Sequence, residues 1–245
     1  MDKRISKTKD FLLDLLFPRF CLGCQKEGLY LCDDCRALLE ISEFDYCLCS
    51  TKPIQMNGKC QRCQNKNLEG LFSALAYKEK ALTKKLIYQF KYPPYLKDLA
   101  KTLASIIIEH IFISGKNTNE IWDNGILIPV PLDKKKIKIR GYNQSKELAK
   151  ELSKILKIPV VPDVLVKIKT TASQMELNGQ EREKNLQGAF SIKNCSTPDV
   201  EQFSGKKVFL VDDVYTTGST MEECAKILKL AGAKSVWGIV IAREG

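Results

Sequence analysis

Residues 208–220 read Val208-Phe209-Leu210-Val211-Asp212-Asp213-Val214-Tyr215-Thr216-Thr217-Gly218-Ser219-Thr220. The four apolar residues at the start suit a buried parallel strand. Two adjacent carboxylates, Asp212 and Asp213, follow at its carboxyl end, and then a hydroxyl-rich turn around Gly218. A helix is predicted directly after it, with Met221, Cys224, Ala225, Leu228 and Ala231 on one face and Gly232 at its stop. Strand, acidic pair, hydroxyl turn and helix start suit a sugar phosphate. Backbone N–H groups at a helix N-terminus favour an anion, and the hydroxyls add donors. The carboxylates can accept hydrogen bonds from a vicinal diol, or hold the metal ion that accompanies a diphosphate.

The stretch resembles the 5-phosphoribosyl-1-diphosphate (PRPP) motif of type I phosphoribosyltransferases. The resemblance implies that Asp212 and Asp213 meet the ribose 2′ and 3′ hydroxyls. It also implies that Thr216, Thr217, Gly218, Ser219 and Thr220 wrap the 5′-phosphate. A capped strand–turn–helix without a ligand is the plain alternative, but Thr, Ser and Asp rarely gather this densely for a cap alone.

The same pattern recurs upstream. Ile126 to Val130 reads as a buried strand ending in Pro129-Val130-Pro131-Leu132. A basic run follows as a loop, Asp133-Lys134-Lys135-Lys136-Ile137-Lys138-Ile139-Arg140. Next come Gly141-Tyr142-Asn143-Gln144-Ser145 and a helix carrying Leu148, Ala149, Leu152, Ile155 and Leu156 on one face. Further strands are expected at Leu71–Tyr77, Val160–Ile168 and Val236–Ala242, and helices at Lys80–Phe90 and Leu96–Ile111. Tyr92-Pro93-Pro94-Tyr95 breaks the first of these helices. The alternation predicts an α/β fold with a doubly wound, mainly parallel sheet and ligands outside the strands' carboxyl ends. The loops after Val130 and Val211 then share an edge, one basic and the other acidic. A solvated face accounts for the lysines equally well, whereas the planar fork of Arg140 suits phosphate oxygens.

Eight of the ten cysteines fall between Cys21 and Cys63, as the pairs Cys21/Cys24, Cys32/Cys35, Cys47/Cys49 and Cys60/Cys63. Two intervening residues let both thiolates of a pair reach one zinc ion, so two pairs make a closed tetrahedral site of structural type. Neighbour pairing groups Cys21, Cys24, Cys32 and Cys35 on one ion and Cys47, Cys49, Cys60 and Cys63 on another. Cys47-Leu48-Cys49 has one intervening residue, which is tight for chelation. One or two ions and an interleaved pairing therefore stay open. A disulfide framework needs an oxidising compartment, and nothing in the sequence directs the chain to one. Cys224 is expected in the core; Cys195 and the single His110 carry no assignment.

The chain has 245 residues, 44% of them hydrophobic and 28% charged, with a formal net charge of +10. Eight zinc-bound thiolates would add eight negative charges and two ions would return four positive ones, leaving about +6. An anionic partner, nucleic acid or phosphorylated small molecules, remains indicated. No apolar run is long enough to span a membrane. Met1 to Phe20 combines Lys and Arg with an apolar run interrupted by Asp14. It lacks a small-residue cleavage site, so an amphipathic helix is expected rather than a signal peptide. The expected location is the cytoplasm, with association at the inner face of the membrane left open.

Four features converge. They are the paired cysteines, Pro129-Val130-Pro131 with Arg140-Gly141-Tyr142-Asn143-Gln144, the pattern from Gln174 through Arg182 and Asn185 to Phe190, and the acidic strand–turn. Together they resemble the ComF family of competence proteins over nearly the whole chain. The resemblance implies a double zinc ribbon with an N-terminal helix over residues 1–70 and a phosphoribosyltransferase-like domain over 71–245. It implies zinc as a structural cofactor and magnesium with PRPP. It adds Val130, Arg140 and Arg182 to the PRPP contacts, Arg182 from a segment that covers the ligand. Single-stranded DNA and other DNA-uptake proteins are the implied partners. Purine-salvage relatives carry an Asp where this chain has Thr216, which cannot act as a general base near neutral pH. The chain also ends at Gly245, right after the last strand, so no base-binding hood is expected. A DNA-handling PRPP binder, a transferase with an unknown acceptor and a PRPP sensor remain as roles.

Overall fold

Four apolar segments lie side by side as one parallel sheet in the computed structural model, which describes residues 18–44, 46–49, 59–78, 81–116, 119–169, 186, 188–193 and 201–244. The strands are β1 (Leu71–Ala76), β2 (Gly125–Pro129), β5 (Lys207–Val211) and β7 (Ser235–Arg243), in the order β1-β7-β5-β2. The two-residue β6 (Val214–Tyr215) also pairs with β7. The helices are α1 (Asp33–Ala37), ahead of β1, and then α2 (Leu82–Lys91), α3 (Leu99–Ile113), α4 (Asn119–Trp122), α5 (Lys134–Arg140), α6 (Gln144–Leu156) and α7 (Ser219–Leu230) between the strands. A separate antiparallel pair is made by β3 (Leu165–Lys167) and β4 (Phe190–Ile192).

Both faces of the sheet are covered, which is why its strands are nearly unbroken apolar runs. Phe72, Leu127, Phe209, Val211, Ile239 and Ile241 pack with Phe90, Leu103, Ile107, Leu148 and Leu152 of α2, α3 and α6. On the opposite face Ile126, Ile128, Val208, Leu210, Val236 and Val240 meet Met221, Cys224, Ala225 and Leu228 of α7. The helix expected after Thr220 therefore buries the face its spacing indicates, and Cys224 is a core residue with no exposure. The predicted doubly wound α/β architecture holds.

Two local readings change. The basic run is a helix rather than a loop. Asp133 caps it by accepting from the Lys135 N–H at 2.8 Å, and Gly141 stops it at φ +81°. The stretch 160–168 is not a strand of the main sheet. Val160 makes a lone bridge to Leu127, and only Leu165–Lys167 is a strand, paired with β4. The short helix α4 places Trp122 on Phe209, at 4.6 Å between ring centroids. Met1 to Phe17, the stretch from Gln174 to Asn185 with Arg182, and Cys195 lie outside the described residues.

The cysteine segments lie on opposite faces of the sheet. Cys21, Cys32 and Cys35 share the cluster of Phe72 and Ile107, while Cys47 and Cys63 share that of Leu210 and α7. Each is tied down by polar contacts. Arg36 of α1 donates to Glu109 at 2.6 Å and to Ser105 at 2.8 Å on α3. Glu222 of α7 accepts from the Asn67 and Leu68 backbone N–H groups.

Candidate functional site

The parallel registers bring the ends of β2 and β5 together, with Pro129 opposite Val211. The turn after β5 and the chain after β2 thus share the carboxyl edge, where open α/β sheets bind ligands. Asp212 and Asp213 stand there. Asp213 is 4% exposed and pairs with Lys91, the last residue of α2, at 2.8 Å. Burial works against the Lys91 ammonium, but the Asp213 carboxylate more than offsets it and holds the pKa above the ordinary lysine value. The second carboxylate oxygen of Asp213 is buried with no hydrogen-bond partner among the described residues. A buried acceptor left open costs free energy unless a ligand fills it.

Asp212 accepts from the Ser145 hydroxyl and from the Asp213 backbone N–H, both at 2.9 Å. Burial, followed by the neighbouring Asp213 charge, lifts its pKa from 3.8 to about 7, against the pull of Lys91. A folded-state pKa above the unfolded one stabilises the fold at low pH. That stability is lost as pH rises from about 4 to about 7. Asp212→Asn removes the charge that causes the loss. At pH 8 we expect the variant to melt above the wild type by about 2–4 °C, the response of a chain this size to ~1 kcal/mol. At pH 4 the two should melt together, and an equal gain at both values would remove Asp212 as the cause.

The turn itself is shaped by Gly218, at φ +78°. A Cβ there would lie 2.2 Å from the Tyr215 hydroxyl, so a side chain is excluded by space as well as by conformation. Gly218 is the N-cap of α7 and gives that helix no side-chain cap. Thr217 and Ser219 hydroxyls meet at 2.9 Å, and Thr217 is exposed. Half-buried Thr216 precedes them. The result is a turn with hydroxyls at its rim and the positive end of a twelve-residue helix beneath it.

The opposite wall begins at Val130, whose carbonyl accepts from the Asn143 side chain at 3.0 Å. Asn143 also caps α6 through the Ser145 N–H at 2.9 Å. Arg140 donates to Gln144, which begins α6. Ser145, the next residue, bonds Asp212, so Arg140 and the acidic pair are connected through the start of one helix. The fold thus gathers Val130, Arg140, Asp212 and Asp213. Lys134, Lys135, Lys136 and Lys138 stay exposed on α5. Lys91 and Ser145 are site residues that sequence reasoning passed over. Lys91 reads as an ordinary basic helix end and Ser145 as a helix start; only the crossing of α2 and α6 at this edge reveals them.

The cysteines form two tetrads in the neighbour pairing: Cys21, Cys24, Cys32, Cys35 and Cys47, Cys49, Cys60, Cys63, with the four sulfurs of each within 4.8 Å of one another. Zn–S bonds of about 2.3 Å in a tetrahedron put sulfurs about 3.8 Å apart. Cys47 and Cys49 stand at 3.7 Å and Cys47 and Cys63 at 3.6 Å, so the single-residue spacing is accommodated. Burial opposes ionisation of Cys21, but N–H groups of Cys32, Cys24 and Gly23 outweigh it and hold the thiol at about 6. Cys47 is likewise held at about 6, by N–H groups of Cys49 and Cys60 against burial. One sulfur in each tetrad is thus prepared as a thiolate, while burial and the neighbouring sulfurs push the Cys35 and Cys63 thiols up; the closed, all-cysteine sets fit structural zinc, with no position for a reactant.

Two family models match the chain: the phosphoribosyl transferase domain over residues 143–245 and the double zinc ribbon domain over residues 12–64. Competence protein F of Haemophilus influenzae is 31% identical over 227 residues, covering 91% of this chain and 90% of that protein. DNA utilization protein YhgH of Escherichia coli K12 is 30% identical over 152 residues, covering 62% of this chain and 63% of that protein. Competence protein ComFC of Bacillus subtilis is 22% identical over 229 residues, covering 87% of this chain and 84% of that protein. No helix among the described residues is long and apolar enough to cross a membrane.

Proposed function

The chain belongs to the ComF family, and from that membership we propose that it binds PRPP and handles single-stranded DNA during DNA uptake. The observation that carries the reading is the acidic pair. Asp212 and Asp213 stand at the carboxyl edge beside a helix start whose N-cap is a glycine with no side chain to cap it, and one Asp213 oxygen has no partner among the described residues. Ribose hydroxyls would donate to the two carboxylates. The 5′-phosphate would sit among Thr216, Thr217, Gly218, Ser219 and Thr220. The diphosphate and its magnesium would lie toward Val130 and Arg140, and Arg182 is a further proposed contact. The names of the relatives, a competence protein and a DNA utilization protein, support the DNA role.

The candidate DNA contact is α5. It buries none of its residues and carries Lys134, Lys135, Lys136 and Lys138 beside exposed Ile137 and Ile139. A helix that contributes nothing to the core is free to meet a phosphate backbone. Replacing Lys134, Lys135 and Lys136 by Glu should weaken an oligonucleotide at all sequences alike. The slope of log affinity against log salt should fall by about 2, since each single-strand phosphate contact contributes about 0.7. An unchanged slope would move the contact elsewhere.

Calorimetry with PRPP, with and without magnesium and a single-stranded oligonucleotide, tests the whole reading. The expected result is saturable PRPP binding strengthened by magnesium. Absence of PRPP binding under every condition would overturn it. Diphosphate release on adding the oligonucleotide would replace the binding role with a transferase.

A further inference from the structure

We propose that the second cysteine tetrad is part of the phosphate turn, and that Tyr215 and Arg243 are the positioning residues that join them. The inference rests on the reading of residues 212–220 as a PRPP site.

The two tetrads dock differently. The first is held to α3 through Arg36, and its neighbour Ser42 bonds the Ala74 carbonyl on the edge strand β1, at 2.8 Å. None of these contacts reaches the turn. The second is held by two residues that flank the site. The Tyr215 hydroxyl donates to the Leu48 carbonyl at 3.1 Å, and Arg243 donates to the Cys47 carbonyl at 3.0 Å; both contacts are buried. Leu48 lies between the ligands Cys47 and Cys49, so these carbonyls belong to the chelating loop itself. The Arg243 guanidinium lies over the rings of Tyr46 and Tyr215, at 5.7 and 5.6 Å. Gly218 rests directly on the Tyr215 hydroxyl, where no methyl group would fit.

The far end of the turn is tied as well. Glu222, in the first turn of α7, accepts from the Asn67 backbone and side chain at 2.5 and 2.8 Å and from the Leu68 N–H at 3.3 Å. Those residues follow the ligand Cys63. Chain segments closed by the second ion thus grip the turn where it begins, at Tyr215, and just after it ends, at Glu222. Without the ion, no hydrogen bond among the described residues of the loop itself holds the Leu48 carbonyl opposite Tyr215. The turn then has to pay its own ordering entropy when the phosphate binds.

Linkage makes this testable without any substitution. If the ion favours PRPP, PRPP must favour the ion by the same factor. Both zinc ions are counted by mass spectrometry, and their affinities are read by competition with 4-(2-pyridylazo)resorcinol, with and without PRPP. We expect PRPP to tighten one ion about tenfold, a coupling of ordinary size, and to leave the other unchanged. Cys49→Ser should leave a single ion that ignores PRPP. Tyr215→Phe should keep both ions, lose the protection and bind PRPP about tenfold more weakly. Arg36→Ala, which loosens the first tetrad, should retain the protection. Wild-type protein that binds PRPP by calorimetry while both ions compete unchanged would overturn the coupling alone. So would a Tyr215→Phe variant that keeps the protection. Wild-type protein that fails to bind PRPP would overturn the underlying reading, and the coupling with it.

Discussion

Withdrawing zinc from the full-length protein should unfold it. Cys21 and Cys63 have no exposure, and each tetrad contributes to one of the two hydrophobic clusters on the faces of the sheet. A structural zinc contributes roughly 10–16 kcal/mol of binding free energy in small metal domains. A whole domain is stable by about 5–15 kcal/mol. Removing both ions therefore exceeds what the packing can offset. It also leaves like-charged thiolates, or desolvated thiols, inside the core. Once chelator has stripped both ions, the far-UV circular dichroism of the folded state should be abolished, and restored zinc should return it. Retention of the full spectrum with both ions counted as lost would show that the sheet stands without them.

Asp213→Ala should remove PRPP binding, with affinity lowered about a hundredfold or more. One charge-assisted hydrogen bond from a ribose hydroxyl, at the upper end of about 1.5–3 kcal/mol, accounts for a loss of that size. The substitution also strands Lys91, whose partner at 2.8 Å is gone. Breaking a pair this buried costs about 3 kcal/mol, so the melting temperature should fall by about 5–10 °C. The neighbouring position is predicted to behave oppositely. Asp212→Asn raises stability at pH 8 while also weakening PRPP, because its charge is a cost in the empty site and a contact in the filled one. Calorimetry and thermal melts of the two variants check both signs. Full PRPP affinity in Asp213→Ala would move the ribose away from this edge.

Much of this was legible along the chain. Val208 to Val211 and Val236 to Ala242 are apolar runs that only a sheet covered on both faces can use. Met221, Cys224, Ala225 and Leu228 recur at the spacing of one helix face and are buried as that face requires. Close-set cysteine pairs carry their chemistry in their spacing, which points to thiolate zinc sites, while the second tetrad and the neighbour pairing needed the fold. The basic run was harder. Lys134 to Arg140 carries only two apolar residues, so its pattern shows no buried face, and its helix depends on the Asp133 cap and the Gly141 stop. The stretch 160–168 was misread because β-branched residues alone do not tell a sheet strand from one paired aside with β4.

What the chain states locally is the chemistry of each piece: an acidic pair after a strand, hydroxyls around a glycine at a helix start, thiols in pairs. Those depend on neighbours within a few residues, whose geometry backbone sterics and spacing already restrict. What required the tertiary structure are contacts between distant residues. Lys91 reaches Asp213, Ser145 reaches Asp212, and Tyr215 and Arg243 reach the carbonyls of Leu48 and Cys47. No local pattern encodes such pairs. They exist because the sheet order β1-β7-β5-β2 and the packing of α2, α6 and the second tetrad bring those positions to one edge. Burial there makes each charge and carbonyl depend on the partner it finds.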